Sequence, residues 1–197
     1  MIYIIFRSLN FVFYKKRDID FMHHCMWFAM SATFRGEMKM KVSLEELGFA
    51  CYVPMKQKQR RRGNKILRVI EPAISNLIFV YATKDEIQEV KRKFPRLQYH
   101  TYFENGRNVP IVVPQRQMEN FIKATSVEGQ ELTYLTLDEI DLKEGTRISV
   151  IGGPLDGVEG VFMKVKGSRA KRLVVQLQVL SVFVAVEVSP DLIKILD

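Results

Sequence analysis

The chain has 197 residues, enough for one large domain or two small ones, each with a core of its own. Its 47% hydrophobic content and thirteen phenylalanines exclude a disordered chain, and its two cysteines exclude a disulfide framework and fit a reducing cytoplasm. Thirty Lys and Arg against twenty-two Asp and Glu leave a formal charge of +8, which favours anionic partners such as nucleic acid.

Residues 1–25 read as a leader outside the folded domains. Met1 to Tyr14 is apolar but shorter than the ~18 residues of a membrane span, and the basic run Lys15-Lys16-Arg17 follows it instead of preceding it, so no membrane role is expected. His23, His24 and Cys25 are adjacent without a second cluster at matching spacing, so no metal site is expected. Trp27 to Ala32 predicts a strand, and Phe34 to Leu47 predicts a helix with Met40, Leu44 and Leu47 as its buried stripe and Gly48 as its stop. Arg35 and Lys39 form a basic patch on that helix.

Phe49 to Val53 predicts a second strand, ended by Pro54. From Met55 to Ile70 run Lys56, Lys58, Arg60, Arg61, Arg62, Lys65 and Arg68 with no carboxylate, and Gly63-Asn64 marks a turn between the two arms. Such a projecting hairpin suits phosphate contact, and the bland reading is a solvated loop. Leu77 to Tyr81 is an apolar run of central-strand length, and Lys84 to Phe94 predicts a second helix ended by Pro95. Gln98 to Phe103 and Val109 to Val113 flank Glu104-Asn105-Gly106-Arg107 as another hairpin, and Pro114 opens a third helix with Met118, Phe121 and Ile122 on one face.

Residues 127–142 are acidic and without period, with Glu128, Glu131, Asp138, Glu139 and Asp141, and read as a linker. Then come short strands only: Thr146 to Ile151, Val158 to Val165, Leu173 to Val179, Val182 to Val188 and Leu192 to Leu196. A closed barrel is expected, since closure removes exposed edges.

Glu144-Gly145 before a strand, the turn from Gly152 to Gly160, and the return strand Val161 to Val165 together resemble the KOW motif. Gly153, Gly157 and Gly160 are its structural glycines, giving positive φ or close backbone approach where the chain bends. Trp27-Phe28, Glu37, Tyr52-Val53-Pro54, Glu71-Pro72 and Asn76-Leu77-Ile78-Phe79-Val80 resemble the NusG N-terminal domain. Where general NusG proteins carry Pro-Gly-Tyr this chain has Ser75-Asn76-Leu77, which looks more like specialised paralogues such as RfaH and the UpxY-type antiterminators.

The resemblance implies an α+β fold: a NusG-like sandwich over residues 26–126 with a mostly antiparallel sheet, the linker, and a five-stranded SH3-like KOW barrel over 143–197. It implies a monomeric, non-enzymatic, cytoplasmic transcription elongation and antitermination factor that needs no cofactor, acting on a capsular or other surface polysaccharide operon. Ile74, Asn76, Leu77 and Phe79 would bind RNA polymerase. Arg35, Lys39, Lys56, Lys58, Arg60, Arg61, Arg62 and Lys65 would meet upstream or non-template DNA or nascent RNA, and the barrel would recruit another protein, such as a ribosomal one. The alternative is a ribosome-associated or RNA-binding KOW protein without polymerase contact. With His23, His24 and His100 as its only histidines and neither a nucleophile elbow nor a P-loop, the sequence offers little to catalysis.

Overall fold

The computed structural model describes residues 25–63, 65–127, 132–135, 145–165, 171–177 and 180–196, and the backbone alone of 3–7 and 10–14. His23, His24, Asn64, the acidic residues Glu128, Glu131, Asp138, Glu139 and Asp141, and Glu144 lie outside the described residues. The chain divides into two compact units, Met1–Met55 with Pro72–Gln115, and Lys56–Glu71 with Arg116–Asp197.

In the first unit, β1 (Tyr3–Arg7) and β2 (Asn10–Tyr14) pair antiparallel within the expected leader. The main sheet is five-stranded and built on β3 (Met26–Ala32). On one side β3 pairs antiparallel with β7 (Leu77–Ala82), from Met26 opposite Ala82 to Ser31 opposite Leu77, and β7 pairs in turn with β4 (Ala50–Tyr52). Its other edge is shared by β8 (Leu97–Tyr99) and β11 (Val112–Val113).

This sharing changes the expected second hairpin. At His100 the chain leaves the sheet, its N–H donating to the Ala29 carbonyl, and it returns at Ile111, whose carbonyl accepts from the Ala29 N–H. Between them β9 (Thr101–Glu104) and β10 (Arg107–Pro110) form a short, mostly exposed ribbon around Asn105 and Gly106, both at positive φ.

Alternation puts Phe28, Met30, Ile78 and Val80 on one face, where they form a core with Leu44, Ile87, Val90 and Leu97. Each such side chain contributes about 1.5–3 kcal/mol by leaving water. Leu44 comes from α1 (Glu37–Glu46), Ile87 and Val90 from α2 (Lys84–Lys93). In α2 a capping box fixes the start: the Glu86 N–H donates to the Thr83 hydroxyl at 3.3 Å, and the Thr83 N–H donates to the Glu86 carboxylate at 2.8 Å. Helix α1 begins three residues later than expected, because Phe34 and Arg35 take positive φ, and Leu47 is exposed instead of completing the buried stripe.

In the second unit, β5 (Met55–Arg62) and β6 (Lys65–Pro72) form a two-stranded ribbon, and α3 (Gln115–Thr125) buries Met118, Phe121 and Ala124, with Ile122 only half-buried. The C-terminal strands are β12 (Thr133–Leu135), β13 (Thr146–Val150), β14 (Glu159–Lys164), β15 (Lys171–Leu177), β16 (Val182–Val186) and β17 (Ile193–Ile195). Among the described residues they do not close into the expected five-stranded barrel. The sheet is six-stranded and open, in the order β12-β16-β15-β14-β13-β17. The added strand comes from the expected linker, where Thr133 to Leu135 lie opposite Ala185 to Phe183. Covering the edge of β16 in this way removes one reason for closure. Leu135 then enters a core with Met163, Val165, Val174, Phe183 and Ala185.

Candidate functional site

Three groups of residues expected to contact partners lie on these elements. The first is the face of the main sheet opposite the helical core. There the pairing of Trp27 with Tyr81, Ser31 with Leu77 and Tyr52 with Phe79 puts all six on one side. Leu77 is 2% exposed and Phe79 0%, so neither offers surface, while Ile74 is half-buried in the turn before β7. The residues of this face left partly open are Trp27, Ser31, Tyr52 and Tyr81. The rings of Trp27 and Tyr81 lie 5.2 Å apart, within range for a favourable aromatic pair. Trp27, Tyr52 and Tyr81 are not among the residues expected to meet a partner, since strand alternation does not say which face would do so.

The second group surrounds the end of β3. Phe34 and Arg35 have φ of +61° and +54°, and Asn76 has φ of +66°. Non-glycine residues there cost about 1–3 kcal/mol each unless the surroundings hold them. The hold is visible: the Arg35 N–H donates to the Asn76 side-chain oxygen at 2.7 Å, the Ala32 N–H to the Asn76 carbonyl at 2.7 Å, and the Thr33 N–H to the Arg96 carbonyl at 3.1 Å. Asn76 thus fixes a loop in the structure, and asparagine suits the left-handed conformation better than most side chains. Phe34 is 84% exposed, with the Arg96 guanidinium 5.4 Å from its ring centre. A cleft of about 240 Å³ opens beside it, lined in part by Arg35, Lys39 and Arg96. Arg35 and Lys39 are therefore brought together. Arg96 joins them from far along the chain, which no sequence pattern announced.

The third group is the β5–β6 ribbon. Glu71 pairs with Lys58 at 3.1 Å and Arg60 at 2.9 Å, so alternation puts Lys56, Lys58, Arg60 and Arg62 on its face. Gln57, Gln59 and Arg61 point the other way. Ile66 and Ile70 are exposed, as are Arg61, Arg62 and Lys65. The hydrogen bonds from Lys58 and then Arg60 hold the Glu71 carboxyl below the usual carboxylate range, against a smaller opposing effect of burial. Because its folded value is depressed, these ion pairs are complete above the ordinary carboxylate range and are lost as pH falls through the lowered value. A side-chain carboxyl NMR titration is expected to find Glu71 deprotonating at lower pH in the wild type than after Lys58→Met with Arg60→Met. An unchanged midpoint would show that the pairs do not persist in solution.

Of the three C-terminal glycines expected to be structural, Gly153 and Gly157 have φ of +69° and +77°. Gly160 is needed for space, since a Cβ there would lie 2.5 Å from the Val174 carbonyl oxygen. Asp156 organises the turn by accepting from the Gly152 N–H at 2.6 Å. Helix α3 reaches the same turn, with Arg116 paired to Glu159 and Lys123 donating to the Asp156 carbonyl.

Burial pushes the Cys51 thiol up to about 12, with Glu45 adding to the shift and Lys41 opposing it, which leaves a protonated, unreactive thiol. Burial also lowers the His100 pKa, keeping its ring neutral at pH 7. Among the described residues, no three His, Cys, Asp or Glu are grouped to hold a metal ion, and no helix is long and apolar enough to cross a membrane.

The family model described as "Transcription termination factor nusG" matches residues 26–122, just under half the chain. No curated protein matches. Among solved structures, one titled "Domain interaction in Thermotoga maritima NusG" is similar at 18% identity and a TM-score of 0.46, covering 89% of this chain and 99% of that one.

Proposed function

With the match over residues 26–122 as premise, we propose that this chain is a transcription elongation and antitermination factor of the NusG type that binds RNA polymerase. The match is the observation that carries the reading: it runs from β3 through most of α3 and so spans the whole main sheet. The polymerase contact is assigned to Trp27, Ser31, Tyr52 and Tyr81, the partly open residues of the face whose centre, Leu77 and Phe79, is buried. Aromatic side chains concentrate binding energy at such surfaces. The factor acts by differential binding: a preference of about 1.4 kcal/mol for the processive state of polymerase over the paused one changes their ratio tenfold.

The left-handed Asn76, at the position general NusG proteins fill with glycine, supports the specialised UpxY-like type and hence action on a surface polysaccharide operon. The turn from Gly152 to Gly160 supports a KOW-type C-terminal sheet that recruits a second protein. The β5–β6 ribbon supports contact with nucleic acid near the polymerase.

The test is capture of core RNA polymerase by the full chain, followed by transcription through a pause site. Co-purification with faster pause escape supports the reading. Binding to structured RNA with no polymerase capture overturns it in favour of an RNA-binding KOW protein. Replacing Arg60, Arg61 and Arg62 together by alanine is expected to weaken association with elongation complexes mainly at low salt, with little change on isolated polymerase. Equal weakening on both would put the ribbon against the enzyme instead of the nucleic acid.

A further inference from the structure

Strand β12 is held in its sheet by few contacts. It meets β16 at three residue pairs, Thr133 with Ala185, Tyr134 with Val184 and Leu135 with Phe183, whereas β15 meets β16 at five. Of its side chains only that of Leu135 is buried. The fit at its first residue is incomplete. Arg172 donates from Nη1 to the Thr133 hydroxyl at 3.2 Å and from Nη2 to Glu187 at 3.1 Å, while its buried Nε has no acceptor. Glu187 is 69% exposed, so water screens that ion pair. A hydroxyl therefore stands where a carboxylate would give a mostly buried cation the stronger, charge-assisted bond.

We propose that β12 is a placeholder, and that the edge of β16 receives an extended segment of a partner protein with an acidic side chain in the register of Thr133 and an apolar one in that of Leu135. The inference rests on the recruitment of a second protein proposed above, and names the surface, the partner's chemistry and the segment that must leave first. Residues two apart share one side of a strand, so an acidic residue followed two positions later by an apolar one reaches both Arg172 and the core. Backbone hydrogen bonds along an edge give affinity whatever the sequence, and those two side chains give the selectivity. The run Val182–Val186 carries no charge, so the edge suits a peptide and not a nucleic acid. A partner also has more to gain than β12, which uses three of the five residues of β16. Short edge elements open at far less cost than a whole sheet, and the apparent affinity of an incoming segment is its intrinsic affinity reduced by the fraction of time that the edge is free.

The experiment locks β12 in place. Opposed residues of an antiparallel pair lie within disulfide range, so Tyr134→Cys with Val184→Cys, in a full-length chain carrying Cys25→Ala and Cys51→Ala, joins β12 to β16 when oxidised and frees it when reduced. The probe is a fluorescent peptide copying residues 131–137 with Thr133→Glu, and binding is read by anisotropy. The reduced chain is expected to bind it, and the oxidised chain to bind at least about tenfold more weakly. Leu135→Ala in the wild-type chain loosens β12 and is expected to tighten binding by about tenfold. A peptide that keeps the threonine is expected to bind more weakly than the glutamate peptide, a difference that Arg172→Met removes. Circular dichroism checks that each variant keeps its strands. Equal affinity of the oxidised and reduced chains, or no binding by either the reduced chain or Leu135→Ala, overturns the proposal. Equal capture of the same second protein by both forms overturns the edge and leaves the recruitment reading standing. No protein captured by any form, with the peptide also unbound, overturns both.

Discussion

Phe79→Asp is expected to unfold the first unit, and not merely to detach a partner. Phe79 is 0% exposed in β7, the strand paired on both sides by β3 and β4, opposite Ala29 and Tyr52. Losing a buried phenylalanine costs about 3–5 kcal/mol in itself. Burying a carboxylate without a partner adds several kcal/mol more. Since whole domains are stable by only about 5–15 kcal/mol, the sum takes most of what is available. Urea denaturation followed by near-ultraviolet circular dichroism is the check. A folded variant that no longer captures polymerase would return Phe79 to the binding face and refute this expectation. A substitution at a partly open residue such as Tyr81→Ala is the better probe of that face.

Gly160→Ala is expected to destabilise the C-terminal sheet by about 3 kcal/mol, the upper end for overpacking. The added methyl would lie 2.5 Å from the Val174 carbonyl oxygen and 2.7 Å from a Leu173 methyl. A leucine tip can move aside. The carbonyl cannot, because Val174 is fixed in β15 between Val161 and Ala185. Gly157→Ala meets nothing within 4 Å and loses only the ease of positive φ, so its cost is smaller, about 1 kcal/mol. Thermal melts that rank these two in reverse would show that turn conformation outweighs packing.

Strong local signals were legible in the sequence, and pairings between distant residues were not. The apolar run Leu77-Ile78-Phe79-Val80 had to be a central strand, and Pro95 and Gly48 had to end helices, because those constraints act within a few residues. The basic ribbon was legible for the same reason. The start of α1 was not: Phe34 and Arg35 have ordinary helix propensity, and they are held left-handed by bonds to distant residues, such as that from Arg35 to Asn76, 41 positions away. Arg96 at the cleft and Glu71 under Lys58 and Arg60 are likewise products of pairing across the fold. Thr133-Tyr134-Leu135 showed no period because three residues cannot display one, yet the edge of β16 gave them a partner.

That short strand also bears on how the molecule avoids itself. β16 reads Val-Phe-Val-Ala-Val, an uncharged β-forming run with its last four residues fully buried, and its outer backbone would otherwise be a template for another chain. The guard is anchored twice, by Leu135 in the core and by Arg172, which donates to the Thr133 hydroxyl at 3.2 Å while pairing with Glu187 at 3.1 Å. A boundary drawn at residue 143, the expected start of the C-terminal domain, would remove the guard and keep the hazard, leaving the edge of β16 open to strand-to-strand aggregation.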